Sequence, residues 1–370
     1  MDWPDAWNDL FDLLLHNLKA GSPDHVHGTM RVLSEFAAEN LSDQNFLQVA
    51  PILIPELHRI FCAETTYSLS VRARSLVIFR EYAYSLYIME DDDIQKRYFD
   101  PVLPSWMEAF KKILDITETP PDSISIKHQT IVKLLKEFPK QMSPFINTFV
   151  GPVWNHLTHF QPRYQVERVN APEDDDADEN VDSDGQIISL DSLIYELLQF
   201  LENIQFKAAK KPQLKEMFTT AAVKGAKRGP TDFMKQLLTV TLTYMQVTTE
   251  MQERWAHDMN QFIQDDEEEA MTFNVRVAVD ELLVAMVDGP FVTETLQALC
   301  IAAAALFEEG SKKRAAGDEN WWKLHEAGLL ALGRMSNEIV DARSELNFGF
   351  DVLQLVWHVL LEDAKCGGRP

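Results

Sequence analysis

Cysteine is scarce in this sequence of 370 residues. Its three cysteines, Cys62, Cys300 and Cys366, lie far apart and form no Cys-x-x-Cys pair. A disulfide-stapled secreted domain needs several cysteines at short, even spacings, so that class is excluded. The cysteine pattern instead favours a reducing compartment, the cytosol or the nucleus.

Long apolar runs are also absent. A membrane-spanning helix needs about 20 consecutive apolar residues, and the apolar stretch "CIAAAALF" is far shorter and is followed by acids. The beginning, "MDWPDAWNDLF", has no basic region followed by an apolar segment, so it does not resemble a secretory signal. We therefore expect a soluble, intracellular chain.

Signatures of catalysis and metal binding are missing as well. The sequence contains no Gly-rich phosphate loop, GxSxG, HExxH or Cys/His pair spaced for nucleophilic chemistry. His25 and His27 would point to different sides of a helix. Trp321, Trp322 and His325 in "WWKLHE" look like site residues, but tryptophan at the start of a repeat helix more often belongs to the core. We expect no enzyme activity, no cofactor and no metal site.

Positive charge is in short supply. The chain has 34 Lys and Arg against 58 Asp and Glu, a formal net charge of −24. Nucleic acids and anionic membranes would be repelled by such a surface, so direct contact with either is not expected. The imbalance favours a basic macromolecular partner.

Helical periodicity is abundant, and the predicted helices occur in pairs. First members carry proline and aromatic residues, as in "VAPILIPELHRIF" and "SPFINTFVGPVWNHL". Second members show one apolar stripe at steps of three and four, which marks the buried face of a helix. Those stripes are Val26, Met30, Leu33 and Ala37; Val275, Val279, Leu282 and Met286; and Leu324, Ala327 and Ala331.

The second helices are predicted to begin near residues 26, 71, 126, 275 and 322. The intervals of 45 and 47 residues fit the roughly 40–47 residues of a HEAT or armadillo repeat. The interval from 71 to 126 is stretched by a loop, and the gap from 126 to 275 would hold three repeats and insertions. A Val-Arg pair recurs at 71–72 and 275–276, and Gly28, Ala73, Ala278 and Gly328 are expected to allow close helix packing. The prediction is an all-α fold, an α-solenoid of HEAT/armadillo-like helical hairpins; the alternative is an irregular helical bundle.

This interpretation divides the chain into repeats and insertions. We predict N-terminal repeats over 1–162, an acidic loop over 163–190 and further repeats over 191–264, with a basic insertion at 206–230. We also predict a second acidic loop over 265–274, C-terminal repeats over 275–362 and a tail over 363–370.

Acidic residues are concentrated in three loops. "MEDDD" (89–93) is a short cluster in an inter-helix turn, whereas the two longer runs are candidates for binding a basic protein. Runs of like charge usually serve solubility, and that alternative stays open. The candidate residues are Glu173, Asp174, Asp175, Asp176, Asp178, Glu179, Asp182, Asp184, Asp265, Asp266, Glu267, Glu268 and Glu269.

The basic insertion, "FKAAKKPQLKEMFTTAAVKGAKRGP", has seven basic residues and one acid, Glu216. It has no interleaved aromatics for stacking on nucleic-acid bases. We interpret it as a flexible segment that pairs transiently with the neighbouring acidic runs; nucleic-acid binding is the alternative.

Residues 180–191 partly match a calcium loop, with Asn180, Asp182 and Asp184 at the first ligand positions and Asp191 at the last. The final position lacks the usual glutamate, and the preceding "RVNAPEDDDAD" has no apolar stripe for an entering helix. A turn that ends an acidic loop is the favoured interpretation.

Several segments in order resemble the importin-β (karyopherin-β) nuclear transport receptors, importin nine branch. They are "DWPDAWNDLF", "HVHGTMRVLSEF", "APILIPELHRIF", "SVRARSLVIF", "FPKQM", "VDSDG", "LTYMQVTTEMQERWAHDMNQFIQDDEEE", "TFNVRVAVDELL" and "WWKLHEAGLLALG". The ordered set, which runs from Asp2 to about Leu332, is more specific than any one segment.

The resemblance implies a HEAT-repeat receptor for basic cargo such as core histones and ribosomal proteins. It also implies a response to the GTPase Ran, contacts with Phe-Gly nucleoporins and passage through the nuclear pore between cytoplasm and nucleus. Receptors of this family are much longer, so we expect a partial chain without the importin N-terminal domain, the main Ran-binding part. The alternatives are a HEAT scaffold and a histone chaperone that does not cross the pore.

Overall fold

The computed structural model describes residues 7–38, 43–115, 121–172, 189–208, 210–220, 229–258, 274–342 and 351–365. Over these ranges the chain forms helices and no β-strand, apart from one isolated antiparallel bridge between Thr219 and Pro230. It divides into two compact units. Unit 1 contains residues 1–152 and 179–189, and unit 2 contains residues 153–178 and 190–370.

Unit 1 is built from helical hairpins whose second helices pack in sequence. Helix α2 packs on α4, α4 packs on α7, and α1 and α3 each pair with the helix that follows them. The helices are α1 (Leu10–Ala20), α2 (Pro23–Ala38), α3 (Asp43–Cys62), α4 (Leu69–Ile88), α5 (Asp92–Tyr98), α6 (Leu103–Leu114), α7 (Pro121–Glu137), α8 (Pro139–Met142) and α9 (Ile146–Tyr164), within which the unit boundary falls.

Unit 2 repeats the arrangement. Helix α10 packs on α14, α12 packs on α15, and α15 pairs with α16. A π-helical turn, Gln165–Val169, follows α9. The later helices are α10 (Leu190–Ala208), α11 (Pro212–Phe218), α12 (Asp232–Tyr244), α13 (Thr249–His257), α14 (Val275–Val287), α15 (Val292–Ala315), α16 (Trp322–Arg334), α17 (Ser336–Asp341) and α18 (Val352–Lys365).

The predicted apolar stripes are buried. Val26, Met30 and Leu33 on α2 are inaccessible or nearly so, as are all four predicted residues on α14 and all three on α16. Each predicted second helix therefore turns its stripe towards its neighbours, which confirms the α-solenoid prediction. The side chain of Ala37 lies outside the described residues.

The recurring Val-Arg pair has a structural explanation. Arg72 Nε donates to Phe61 O (2.8 Å) in the last turn of α3, and an Arg276 guanidinium N–H donates to Met245 O (3.1 Å) just after α12. The last carbonyls of a helix have no partner within the helix, so a cation from the next hairpin helix satisfies them. Lys323 occupies the same register in α16 and donates from Nζ to Val169 O (2.6 Å).

The predicted close approaches at small residues are confirmed in one place and wrong in another. At Gly328 a Cβ atom would lie 2.6 Å from the Phe307 ring, so the neighbouring helix does approach closely. At Gly28 a Cβ would meet nothing within 4 Å, because that face of α2 is open. Ala278 is buried, whereas Ala73 is half-buried.

Part of the basic insertion is folded, which corrects its description as a flexible segment. Leu214 and Phe218 are spaced four residues apart on α11 and are both buried. The Phe218 ring stacks on Phe291 with centroids 5.6 Å apart. The apolar stripe of this short helix outweighs its surplus of lysines. Residues 221–228 lie outside the described part.

Within the described residues, none of the helices is long and apolar enough to cross a membrane.

Candidate functional site

The thirteen predicted cargo-binding acids, in residues 173–184 and 265–269, lie outside the described residues. The chain on either side of both acidic loops is described, however, and it belongs largely to unit 2. The positions of these loop ends determine where the acidic runs leave the folded unit.

The first acidic loop starts and ends at an ion pair. Arg168, in the π-helical turn, donates from Nε to Asp191 Oδ2 (2.6 Å), and Asp191 lies in the first turn of α10. Both side chains are half-buried. Burial raises the pKa of Asp191, and the adjacent Arg168 opposes that rise by stabilising the carboxylate. The pair therefore holds together the two chain segments that flank residues 173–188.

This ion pair also bears on the calcium interpretation. Asp191 would be the last ligand of such a loop, but its carboxylate faces a guanidinium group instead. The other candidate ligands, Asn180, Asp182 and Asp184, lie outside the described residues. In the part of the chain that the structure describes, no group of three or more His, Cys, Asp or Glu side chains is placed to hold a metal ion.

The second acidic loop ends at a capped helix. Asn274 Oδ1 accepts from the backbone N–H groups of Arg276 (3.0 Å) and Val277 (3.2 Å), which fixes the start of α14. The Arg276 guanidinium then bridges Met245 O and the carboxylate of Glu326 on α16. The chain that returns from residues 259–273 is thus anchored to both α12 and α16.

The chain that enters the first acidic loop contacts helix α13, which precedes the second acidic loop. Thr249 Oγ1, at the start of α13, lies within hydrogen-bonding distance of Val169 O (3.3 Å) and Ala171 O (3.2 Å). Lys323 Nζ donates to the same Val169 carbonyl. These contacts connect the segment that enters the first loop with the segment that precedes the second.

We call these residues the loop-root cluster. It consists of Arg168, Val169, Asp191, Met245, Thr249, Arg276 and Lys323. Three of its members are cations, and each has a hydrogen-bonded partner. Its contacts connect the two ends of the first acidic loop with helices α13, α14 and α16, which flank or follow the second.

Lys323 is the most unusual member of the cluster. Its side chain is 1% exposed, and burial lowers its pKa to about 8, because desolvation disfavours the ammonium form. The sequence predicts that Trp321 and Trp322 are core residues of this segment. That prediction is wrong, since both tryptophans are half-buried, whereas Lys323 and His325 are buried.

His325 is a buried contact between helices. Its Nε2 lies 2.9 Å from Phe307 O, and its Nδ1 lies 2.9 Å from the Asp363 carboxylate on α18. The imidazole therefore joins α15, α16 and α18. Of the two N-terminal histidines, His25 is exposed and His27 lies 3.3 Å from Arg74, as expected for side chains that point to different sides of α2.

The short acidic cluster at 89–93 has a local structural role. Asp91 Oδ1 accepts from the backbone N–H groups of Asp93 (2.9 Å) and Ile94 (3.1 Å), so it caps α5. Asp92 and Asp93 then lie in the first turn, where carboxylates interact favourably with the helix dipole.

Sequence reasoning missed Arg168, Thr249 and Lys323. A signal for Lys323 was present, because an apolar residue followed by Lys or Arg recurs near residues 71, 126, 275 and 322, as in Ile126-Lys127 and Trp322-Lys323. The roles of Arg168 and Thr249 depend on contacts 23 and about 80 residues away along the chain, which no local pattern announces.

Comparison with known proteins agrees with this architecture. Residues 228–358 match the family described as Importin-9 central HEAT repeats. Importin-9 of Drosophila melanogaster is 26% identical over 357 residues, which are 95% of this chain and 33% of that protein. Importin subunit beta-5 of Schizosaccharomyces pombe is 27% identical over 171 residues, 42% of this chain and 17% of that protein. The chain spans a third or less of each relative.

The fold and the loop-root cluster define a HEAT-repeat α-solenoid with long acidic insertions in its hairpins. Over its matched residues the chain is similar to importin-β-type nuclear transport receptors, in particular to those named Importin-9. Neither relative bears the name of an enzyme.

Proposed function

We propose that this chain is the cargo-binding segment of a nuclear import receptor and that its cargo is basic, such as core histones or ribosomal proteins. The two acidic runs supply the attraction. The supporting observation is the loop-root cluster, because its contacts link chain segments that flank the first run to helices that flank the second. Acidic loops that start from neighbouring points can act on the same basic surface.

Electrostatics gives the proposal its physical basis. A net charge of −24 attracts basic proteins over a Debye length and raises their association rate. The loop-root cations Arg168, Arg276 and Lys323 are each engaged locally, so they compete little with a ligand for the loop carboxylates.

Transport adds two further partners to the proposal. Phe-Gly nucleoporins need shallow apolar pockets, and unit 1 has a partly open pocket lined mainly by apolar side chains, including Phe11, Phe36, Leu53 and Ile54. The GTPase Ran is the second proposed partner, because the resemblance to importin-β receptors implies it. The receptor would accordingly move between the cytoplasm and the nucleus through the pore.

The test is binding of a folded core-histone dimer across a salt series. The matched variant neutralises Asp174, Asp175, Asp176, Asp265, Asp266, Glu267, Glu268 and Glu269. We expect strong binding that weakens steeply with salt and is lost in the variant. A variant that binds as well as the original chain would contradict the role of the loops.

A second candidate is a histone chaperone, which would shield basic cargo without crossing the pore. The same acidic loops favour it. Binding to a Phe-Gly peptide separates the two, because a chaperone does not need it. A HEAT scaffold would show neither interaction, so the two assays together distinguish all three candidates.

A further inference from the structure

Unit 1 exposes three large side chains in a row at the end of α4. Tyr84, Tyr87 and Ile88 are 39%, 45% and 55% exposed, and their spacing of three and four residues places them on one face. Tyrosines grouped with an aliphatic residue on a helix surface are typical of protein-binding surfaces. We call this group the α4 patch.

One tyrosine of the α4 patch already binds a cation. Lys133 Nζ on α7 lies 4.5 Å from the centroid of the Tyr84 ring, a cation–π geometry. The Tyr87 ring lies beside it with centroids 6.4 Å apart and an interplanar angle of 27°. Among the described residues, no cation lies over Tyr87. The Tyr87 ring also lies edge-to-face with the Phe138 ring, with centroids 6.1 Å apart. The part of the ring that remains exposed offers an aromatic surface like the one that Lys133 contacts on Tyr84.

The chain immediately after the α4 patch is acidic and adopts a conformation that its sequence does not favour. Glu90 has φ of 49°, the left-handed region in which glycine is normally placed at the end of a helix. A glutamate there costs stability but adds a carboxylate two residues beyond Ile88. Asp92 is also exposed, and within the described ranges neither Asp92 nor Glu90 forms an ion pair.

Nearby cations are engaged with other groups. Lys96 lies 3.4 Å from Asp93, Lys133 lies 3.7 Å from Glu81, and Arg80 donates to Gln129 (2.5 Å). They therefore leave the carboxylates of Glu90 and Asp92 available to a ligand.

We propose that the α4 patch is a docking surface for a basic protein segment in which a lysine or arginine stands next to an apolar residue. The cation would lie over Tyr87, the apolar side chain would pack on Ile88, and Glu90 and Asp92 would neutralise the charge. This inference rests on the proposed function, since it gives basic cargo a second contact, in unit 1 and separate from the acidic loops.

The test uses two synthetic peptides of equal length and charge, one alternating leucine with lysine and the other alternating serine with lysine. The full chain should prefer the leucine peptide. Tyr87→Leu keeps apolar bulk and removes the aromatic face, so affinity should fall about two- to fivefold. The matched control is Glu35→Gln, which neutralises an exposed acid elsewhere in unit 1 and should change little.

Glu90→Gly separates binding from folding. Glycine tolerates the left-handed conformation, so this variant should melt at a higher temperature than the original chain and still bind the leucine peptide less tightly. A merely structural role for Glu90 predicts a higher melting temperature with unchanged affinity. That result, or equal affinity for both peptides, would overturn the proposal.

The same variants, assayed with the histone dimer, keep the two proposals distinguishable. Loss of histone binding in the acidic-loop variant, but not in Tyr87→Leu or Glu90→Gly, would refute the α4 patch as a cargo contact and leave the proposed function standing. A chain that binds the leucine peptide through the patch but not the histone dimer would refute the proposed function instead.

Discussion

The two compact units use the same device at the start of their second helices, but they use it for different purposes. In unit 1, Arg72 anchors the end of α3 inside a hairpin whose connection is short. In unit 2, Arg276 and Lys323 anchor the chain at the bases of long acidic loops. The same kind of contact, a cation on a second helix that donates to a carbonyl at the end of an earlier helix, thus holds the chain beside the acidic insertions in unit 2.

The second difference between the units is where carboxylates accumulate. In unit 1, the acidic cluster at 89–93 is short, and Asp91 caps the helix that follows. The two longer acidic runs are flanked by segments of unit 2, where the cations of the loop-root cluster contact the chain beside the loops. A repeat helix can tolerate such insertions because its own contacts, rather than the loop, fix where it starts.

The largest expected difference in stability between the units concerns alanine substitution of one glycine on a second helix in each. Gly328→Ala should destabilise unit 2 by about 1–3 kcal/mol, because the new methyl group would overlap the buried Phe307 ring. Gly28→Ala should stabilise unit 1 by about 0.5–1 kcal/mol, since alanine favours the helix and meets open space. Chemical denaturation of both variants measures the opposite signs; two destabilised variants would contradict the difference in packing.

Replacing the anchoring arginine should also cost more stability in unit 2 than in unit 1. Arg276→Met removes partners from Met245 O and from the partly buried Glu326, so we expect a loss of about 2 kcal/mol. Arg72→Met leaves Phe61 O unpaired, but its other partner Glu64 is half exposed, so a loss of about 1 kcal/mol is expected. Thermal unfolding of the two single variants tests which one loses more stability. An equal loss would mean that Arg276, beside an acidic insertion, contributes no more to stability than Arg72.

The buried lysines predict a pH dependence that differs between the units. Burial lowers the pKa of Lys127 to about 7 and that of Lys323 to about 8, from an ordinary value near 10.5. The folded state therefore binds fewer protons than the unfolded state between those values and 10.5. Stability should rise with pH, from about 7 upwards for the Lys127 contribution and from about 8 for that of Lys323.

Melting temperature measured from pH 6 to pH 10 tests this dependence. Lys127→Met should remove the part of the rise that begins near pH 7, and Lys323→Met the part that begins near pH 8. A slope that persists unchanged in both variants would assign the pH dependence to other groups.

The fold was predictable from sequence, but much of the candidate site was not. The stripes on α2, α14 and α16 obey local spacing, and their burial follows from it. The acidic loops can be recognised in the sequence by their runs of Asp and Glu. The link between the segments that flank them depends on contacts such as that between Lys323 and Val169, 154 residues apart, which arise only when the repeats stack. The wrong prediction for the tryptophans in "WWKLHE" has the same origin, because the repeat register, and not residue size, decides which side chain is buried.

The smallest expected effect concerns the lysines of the basic insertion. Lys207 and Lys211 lie close enough for their charges to interact, and burial together with Lys211 lowers the pKa of Lys207. If this cluster competes with a basic ligand for the acidic loops, replacing Lys207, Lys210, Lys211 and Lys215 with glutamine should tighten histone binding about two- to threefold at low salt. The gain should vanish at high salt, where exposed charges are screened. Unchanged affinity at low salt would restrict these lysines to the local structure around α11, and unit 2 would then bind basic cargo without an internal competitor.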